Sequence, residues 1–165
     1  MDNFSVKKIA LSTLLVGACV AQGFPNNPNN VLIGGSNYLD GDGNQLMGNF
    51  NQMIGSWNKM QGNNNNLSGD KNNIFGSSNM IFGNLNNVEG NQNGIKGSSN
   101  LVSGNLNLLN GNQNAIKGDR NGITGNGNGV VGSNNLLQGN LNFLTGNFNQ
   151  VMGNSNGING NQNVV

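Results

Sequence analysis

The side chains able to do acid–base or nucleophilic chemistry are scarce in this 165-residue chain. There is no histidine, which removes the commonest general base and metal ligand. The one cysteine, Cys19, lies in an apolar leader, so no disulfide or thiol nucleophile is expected in the processed chain. Beyond residue 21 the carboxylates are Asp40, Asp42, Asp70, Glu89 and Asp119, too sparse for the recurring ligands of a calcium-binding repeat. They are matched by Lys59, Lys71, Lys96, Lys117 and Arg120, leaving a net charge near zero over that part. A nucleic-acid partner needs a basic face and finds none, whereas low net charge removes a barrier to self-association. The glycines lack the strand–helix context of a phosphate-cradling loop. The chemistry points to no catalytic residue, no cofactor and no metal, and the chain is read as a non-enzyme. One candidate modification remains, the glycosylation sequon at Asn66-Leu67-Ser68.

What recurs instead is the amide. Asn stands at Asn37, Asn44, Asn51, Asn58, Asn65, Asn72, Asn79, Asn86, Asn93 and Asn100, each seven residues from the last. The series continues without a break through Asn107, Asn114, Asn121, Asn128, Asn135, Asn142, Asn149, Asn156 and Asn163. An amide donates and accepts at once, so a column of them can bond each to the next and satisfy polar groups inside a bend. The chemistry of this set is structural: an Asn ladder.

The elements that must position such a ladder follow from the rest of the heptad. A glycine precedes each Asn by three residues, from Gly34 to Gly160, and an aliphatic residue or Met (Φ) follows by two, from Leu39 to Val165. The unit is G-[N/S/D]-x-N-x-Φ-x over nineteen heptads, with Gly35 in the second slot of the first. A coiled coil needs two apolar positions per heptad, and a glycine in every second turn would cost a helix about 1 kcal/mol each. Disorder is the expectation from low complexity, but a disordered tract does not hold Φ in phase while its neighbours vary freely. One inward residue flanked by two outward ones is a short strand, and Asn shares the inward face with Φ. Glycine opens the bend and the following Asn, Ser or Asp supplies turn hydrogen bonds.

The predicted fold is therefore all-β: a parallel β-solenoid (β-roll or β-helix) over residues 34–165, each heptad one strand and one bend. Asn-Gly pairs at 93–94, 121–122, 128–129 and 156–157 are also hairpin signals, but hairpins leave the other heptads unexplained. Two heptads per coil suits one bulky residue per side. Three heptads is the alternative, because residues 76–96 and 97–117 agree at 14 of 21 positions.

Residues 1–21 read as a signal peptide, with Lys7 and Lys8 before a short apolar run and small residues ahead of Gln22. The rival reading is a lipobox, Val16-Gly17-Ala18-Cys19, anchoring the protein by lipid on Cys19. Residues 22–33, with Pro25 and Pro28, form a Pro/Asn-rich lead-in, and no transmembrane segment is expected. Phe50, Trp57, Phe75, Phe82 and Phe148 occupy variable slots and are candidates for surface contact.

The N-x-Φ-x-G grid resembles the Asn/Gly-rich heptad segments of secreted and cell-surface microbial proteins. In architecture it is similar to the β-roll head of trimeric autotransporter adhesins, although those heads place Φ directly before Gly where this chain has Φ-x-Gly. The resemblance implies an extracellular repeat scaffold. The first functional expectation is a secreted structural protein that self-associates end to end or laterally into a fibre, coat or matrix, with Val165 leaving an open strand edge. The second is an adhesin or glycan-binding surface on a cell. The third is ice binding, which a flat regular solenoid permits, although the grid holds only Thr124 and Thr145 where Thr ladders are favoured.

Overall fold

The computed structural model describes residues 29–165. The leader, Cys19 and the Pro25–Pro28 part of the lead-in lie outside the described residues. Each heptad up to residue 159 forms a three-residue strand centred on Φ, from β1 (Val31–Ile33) and β2 (Tyr38–Asp40) through to β19 (Gly157–Asn159), and the last heptad makes a single bridge from Val164 to Gln150. All pairs are parallel, and each strand pairs with the next but one. Thus β1 lies on β3 (Gln45–Met47) with Leu32 against Leu46, and β2 on β4 (Gln52–Ile54) with Leu39 against Met53. The odd-numbered strands make a ten-stranded sheet and the even-numbered strands a nine-stranded one. The chain is a β-solenoid with two heptads per coil, and no hairpin interrupts the described residues.

The three-heptad coil is overturned by this register. The similarity of 76–96 to 97–117 spans one and a half coils, so equivalent residues land on opposite sheets: Met80 in β8 (Met80–Phe82), Leu101 in β11 (Leu101–Ser103). It is a likeness of sequence that the stacking does not use.

Burial follows the period of two. The Φ residues from Leu39 to Ile158 are buried, while the residues on either side of them face out or lie half-buried. Two facing columns of Φ, one per sheet, make a core one side chain deep on each side. Val165, the last Φ, is half exposed. Leu32 packs on the core, and β1 places residues 31–33 within the first coil.

Between strands the chain bends through two unusual conformations. The grid glycine takes a φ between +116° (Gly34) and +148° (Gly111). Two residues later the backbone enters the left-handed region at every turn, and seventeen of these residues are not glycine, with φ from 55° to 61°. Left-handed backbone costs an L-residue about 1–2 kcal/mol, so hydrogen bonds along the solenoid must hold the turn. At Phe50 the turn N–H donates to the Gly35 carbonyl one coil back, and at Trp57 to the Asp42 carbonyl (2.8 Å).

Candidate functional site

The ladder runs inside each of the two bends. Asn93 is representative: its backbone N–H and its Nδ2 both donate to Asn79 Oδ1 (2.9 and 3.1 Å). Its second Nδ2 proton goes to the Gly104 carbonyl (2.8 Å), and its own Oδ1 accepts from the N–H and Nδ2 of Asn107 (3.0 and 3.2 Å). Both donors and both acceptor sites are used, which no other short side chain can match. Seventeen of these Asn are buried, and Asn156 and Asn163 are half-buried while still donating to Asn142 and Asn149. No buried side-chain N or O among the described residues lacks a partner. The amides are therefore occupied by their own fold and are not free for a ligand.

A second ladder runs along the outside of each bend, at the position just after the grid glycine. Ser56 N–H donates to Asp70 Oδ1 (2.7 Å), Asp70 N–H to Asn84 Oδ1 (2.7 Å), and Asn84 N–H to Ser98 Oγ (3.2 Å). The restriction of this slot to Asn, Ser or Asp follows, because it needs a short side chain carrying an acceptor. Asp70 and Asp119 serve that structural end; Asp119 Oδ1 accepts from the N–H and Nδ2 of Asn105 (2.7 and 3.0 Å). Among the described residues no group of three or more His, Cys, Asp or Glu comes together, and no helix is long and apolar enough to cross a membrane.

Surface chemistry is left to the outward columns of the two sheets and to the two corners. The candidate contact residues are exposed but dispersed. Phe75 faces out from the odd sheet and Phe82 from the even sheet, while Phe50 and Phe148 share one corner seven coils apart and Trp57 stands at the other. Asn66 lies half-buried within β6 (Asn66–Ser68), its Nδ2 near Gln52 Oε1 (3.4 Å).

A different set is brought together, and single-sequence reading misses it because the neighbours are fourteen residues apart. Gly43, Gly94, Gly122, Gly127 and Gly129 lie outside the grid, and each is followed one coil later by a large apolar residue leaning over it. Trp57 covers Gly43, Leu108 covers Gly94, and Leu136 covers Gly122; a Cβ on those glycines would lie 2.8, 3.2 and 3.2 Å from the covering side chains. On the even sheet this gives an apolar groove of about 440 Å³ along Met80, Gly94, Leu108, Gly122 and Leu136. The odd sheet holds a depression of about 80 Å³ beside Val31, Met47 and Lys59. Its outward residues include Asn73, Asn87, Ser103, Ala115, Gly129 and Thr145.

A search of curated protein sequences finds no match to this chain. A family model described as the grass antifreeze beta roll matches residues 24–118, more than half of the chain and almost all of it within the stacked coils. With its fourteen-residue coils and two parallel sheets, the chain belongs to the grass antifreeze beta-roll family.

Proposed function

We propose that the protein binds ice, and that it does so through the odd-numbered sheet. The observation that carries the proposal is membership of the antifreeze beta-roll family, on a fold whose parallel sheets repeat at a single coil spacing. Strands stacked about 4.8 Å apart present rows of equivalent positions, a spacing close enough to that of water molecules in ice for successive rows to engage one surface. Rigidity matters as much as spacing, since a mobile face would lose entropy on meeting a crystal plane. Here the ladders on both sides of each bend fix every row. Relief favours the odd face: the groove on the even sheet breaks the plane, while four adjacent strands of the odd sheet carry Ser103, Ala115, Gly129 and Thr145 beside Leu101, Lys117, Val131 and Phe143.

The scarcity of Thr does not exclude this reading. An ordered surface needs regular shape with little charge, and over four adjacent strands of the odd sheet Ser103, Ala115, Gly129 and Thr145 are small while Lys117 is the one charged residue. Secretion, expected from the leader, fits a protein that meets ice outside the cell. No catalytic role is assigned.

The test is ice shaping and inhibition of ice recrystallisation by the full chain. Ser103→Lys with Thr145→Lys, both on the odd sheet, should abolish the effect. Gln52→Lys with Ser68→Lys, on the even sheet, should leave it intact. A parent protein without effect on ice growth, or equal loss in both variants, would overturn the assignment.

A second reading, a self-associating structural rod, is favoured by the exposed apolar residues on both sheets, Leu108, Leu136 and Phe143 among them. Adhesion to glycans has weaker support, because the aromatic side chains are spread over four different surfaces.

A further inference from the structure

We infer that the even sheet is a self-complementary surface that pairs two copies of this chain face to face, with their solenoid axes antiparallel. The groove has a regular relief. Along one outward column, β8, β10 (Gly94–Lys96), β12 (Leu108–Asn110), β14 (Gly122–Thr124) and β16 (Leu136–Gln138) present Met, Gly, Leu, Gly and Leu in turn. Large side chains alternate with glycine floors at a period of two coils, roughly 9–10 Å. Met80, Leu108 and Leu136 are each at least half exposed, so apolar surface is standing in water along this line.

A column of this kind complements itself when reversed. A two-fold axis lying along the strand direction, midway between β12 and β14, keeps each outward column opposite the same column of the second copy. It sets Leu108 over Gly122 of the second copy and Leu136 over its Gly94, with the converse contacts generated by symmetry. The exposed leucine tips swing upright from the glycines beneath them and enter the opposing floors. The neighbouring column agrees with the same axis. Phe82 meets Met152 of β18 (Gln150–Met152), Asn110 meets Thr124, and Lys96 meets the amide of Gln138.

Charge permits the pairing. Six strands, β8 to β18, overlap over about 25–30 Å, and their outward faces carry one charged residue, Lys96. The two Lys96 ammonium groups stand three coils apart, about 14 Å, which is beyond the screening length in ordinary salt. The patch is narrow, so the dimer is a reversible one with Kd of about 10–100 μM. The odd sheets remain free on the two outer faces, and the inference does not rest on ice binding.

Sedimentation equilibrium of the full chain tests it. The parent should show a monomer–dimer equilibrium in the micromolar range. Gly122→Leu fills a floor and sets one large side chain against another, and should weaken the dimer by about tenfold or more. The double variant Leu108→Gly with Gly122→Leu exchanges knob and floor across the same contact, and should recover affinity to within about threefold of the parent. Circular dichroism and thermal melting establish that each variant is folded. A parent that stays monomeric at millimolar concentration, a dimer indifferent to Gly122→Leu, or a double variant that does not recover would each overturn the pairing. The odd-sheet lysine variant should lose ice activity while dimerising like the parent, which separates the two proposals.

Discussion

Gly90 lies so close beneath the carbonyl of Gly104 that a Cβ on Gly90 would stand 1.9 Å from that oxygen. The same oxygen accepts from Asn93 Nδ2 at 2.8 Å, so it cannot retreat without breaking the ladder. Steric exclusion and a φ of +133° act together on Gly90. Gly90→Ala should therefore cost about 4 kcal/mol or more and leave little folded protein. Gly157→Ala makes the contrast: its φ is not left-handed and a Cβ there would touch nothing within 4 Å. That variant should be neutral or gain up to about 0.5 kcal/mol from better strand propensity. Urea denaturation of the two variants, with the parent, measures the difference.

The ladder makes a prediction that depends on pH. Asn93→Asp preserves shape but replaces two donors with an acceptor aimed at Asn79 Oδ1 and the Gly104 carbonyl. The ionised form keeps its bonds from Asn107 but buries a second oxygen against two acceptors, and should cost about 3–5 kcal/mol. Protonation restores one donor, so the folded state raises the carboxyl pKa above its unfolded value of about 3.9. The sign follows: the loss is smallest below the unfolded pKa, grows as pH rises from there to the folded pKa, and is constant above it. Urea midpoints should show a smaller deficit, relative to the parent, at pH 3 than at pH 7. Asp119, in the outer ladder, only accepts, and Asp119→Asn should change stability by less than about 0.5 kcal/mol at pH 7.

The turns carry a removable strain. Lys71 is exposed with φ 57°, and its N–H donates to the Ser56 carbonyl at 2.9 Å. Asn tolerates this region far better than Lys, so Lys71→Asn should stabilise by about 0.5–1 kcal/mol. Leu85→Val, at φ 59°, places a β-branched residue in the same conformation and should destabilise by about 1 kcal/mol or more. Thermal melting at neutral pH reads both, and equal midpoints for the two variants would show that the turn holds no such strain.

The grid itself made Gly, Asn and Φ legible, because each role demands one residue type: a bend no side chain can enter, a group that donates and accepts twice, and an apolar plug. The coil length was not legible in the same way. Residues 76–96 and 97–117 look alike because of their sequence, and only the pairing of Ile81 with Ile95 shows that the stack counts in fourteens. The surface depends on that number, since Gly94 and Leu108 are neighbours only in a fourteen-residue coil. The left-handed slot was hidden for another reason. Phe50, Trp57 and Leu141 are poor residues for that backbone, and hydrogen bonds from neighbouring coils override their preference. Function was the least legible part: a count of threonines placed ice binding third, and it is the family match over residues 24–118 that supports that reading.

Asn-Gly pairs test how completely the ladder restrains its members. Deamidation requires the glycine nitrogen to attack the Asn side-chain carbon, displacing ammonia through a cyclic imide. At Asn93-Gly94 the amide is held by Asn79, Gly104 and Asn107, and the Gly94 N–H donates to the Asn107 carbonyl at 2.9 Å. At Asn110-Gly111 the glycine N–H is held similarly, by the Lys96 carbonyl at 2.9 Å, but the Asn110 side chain is exposed and faces out of the even sheet. Ring closure at Asn93 needs several coils to open together, whereas at Asn110 it needs one local opening. Under native conditions Asn110 should deamidate at least about ten times faster than Asn93, a gap of roughly 1.4 kcal/mol in opening free energy. In denaturant the two rates should converge. Peptide mapping by mass spectrometry over a time course reads both sites in one sample, and parallel native rates would mean that the coils open locally at the ladder.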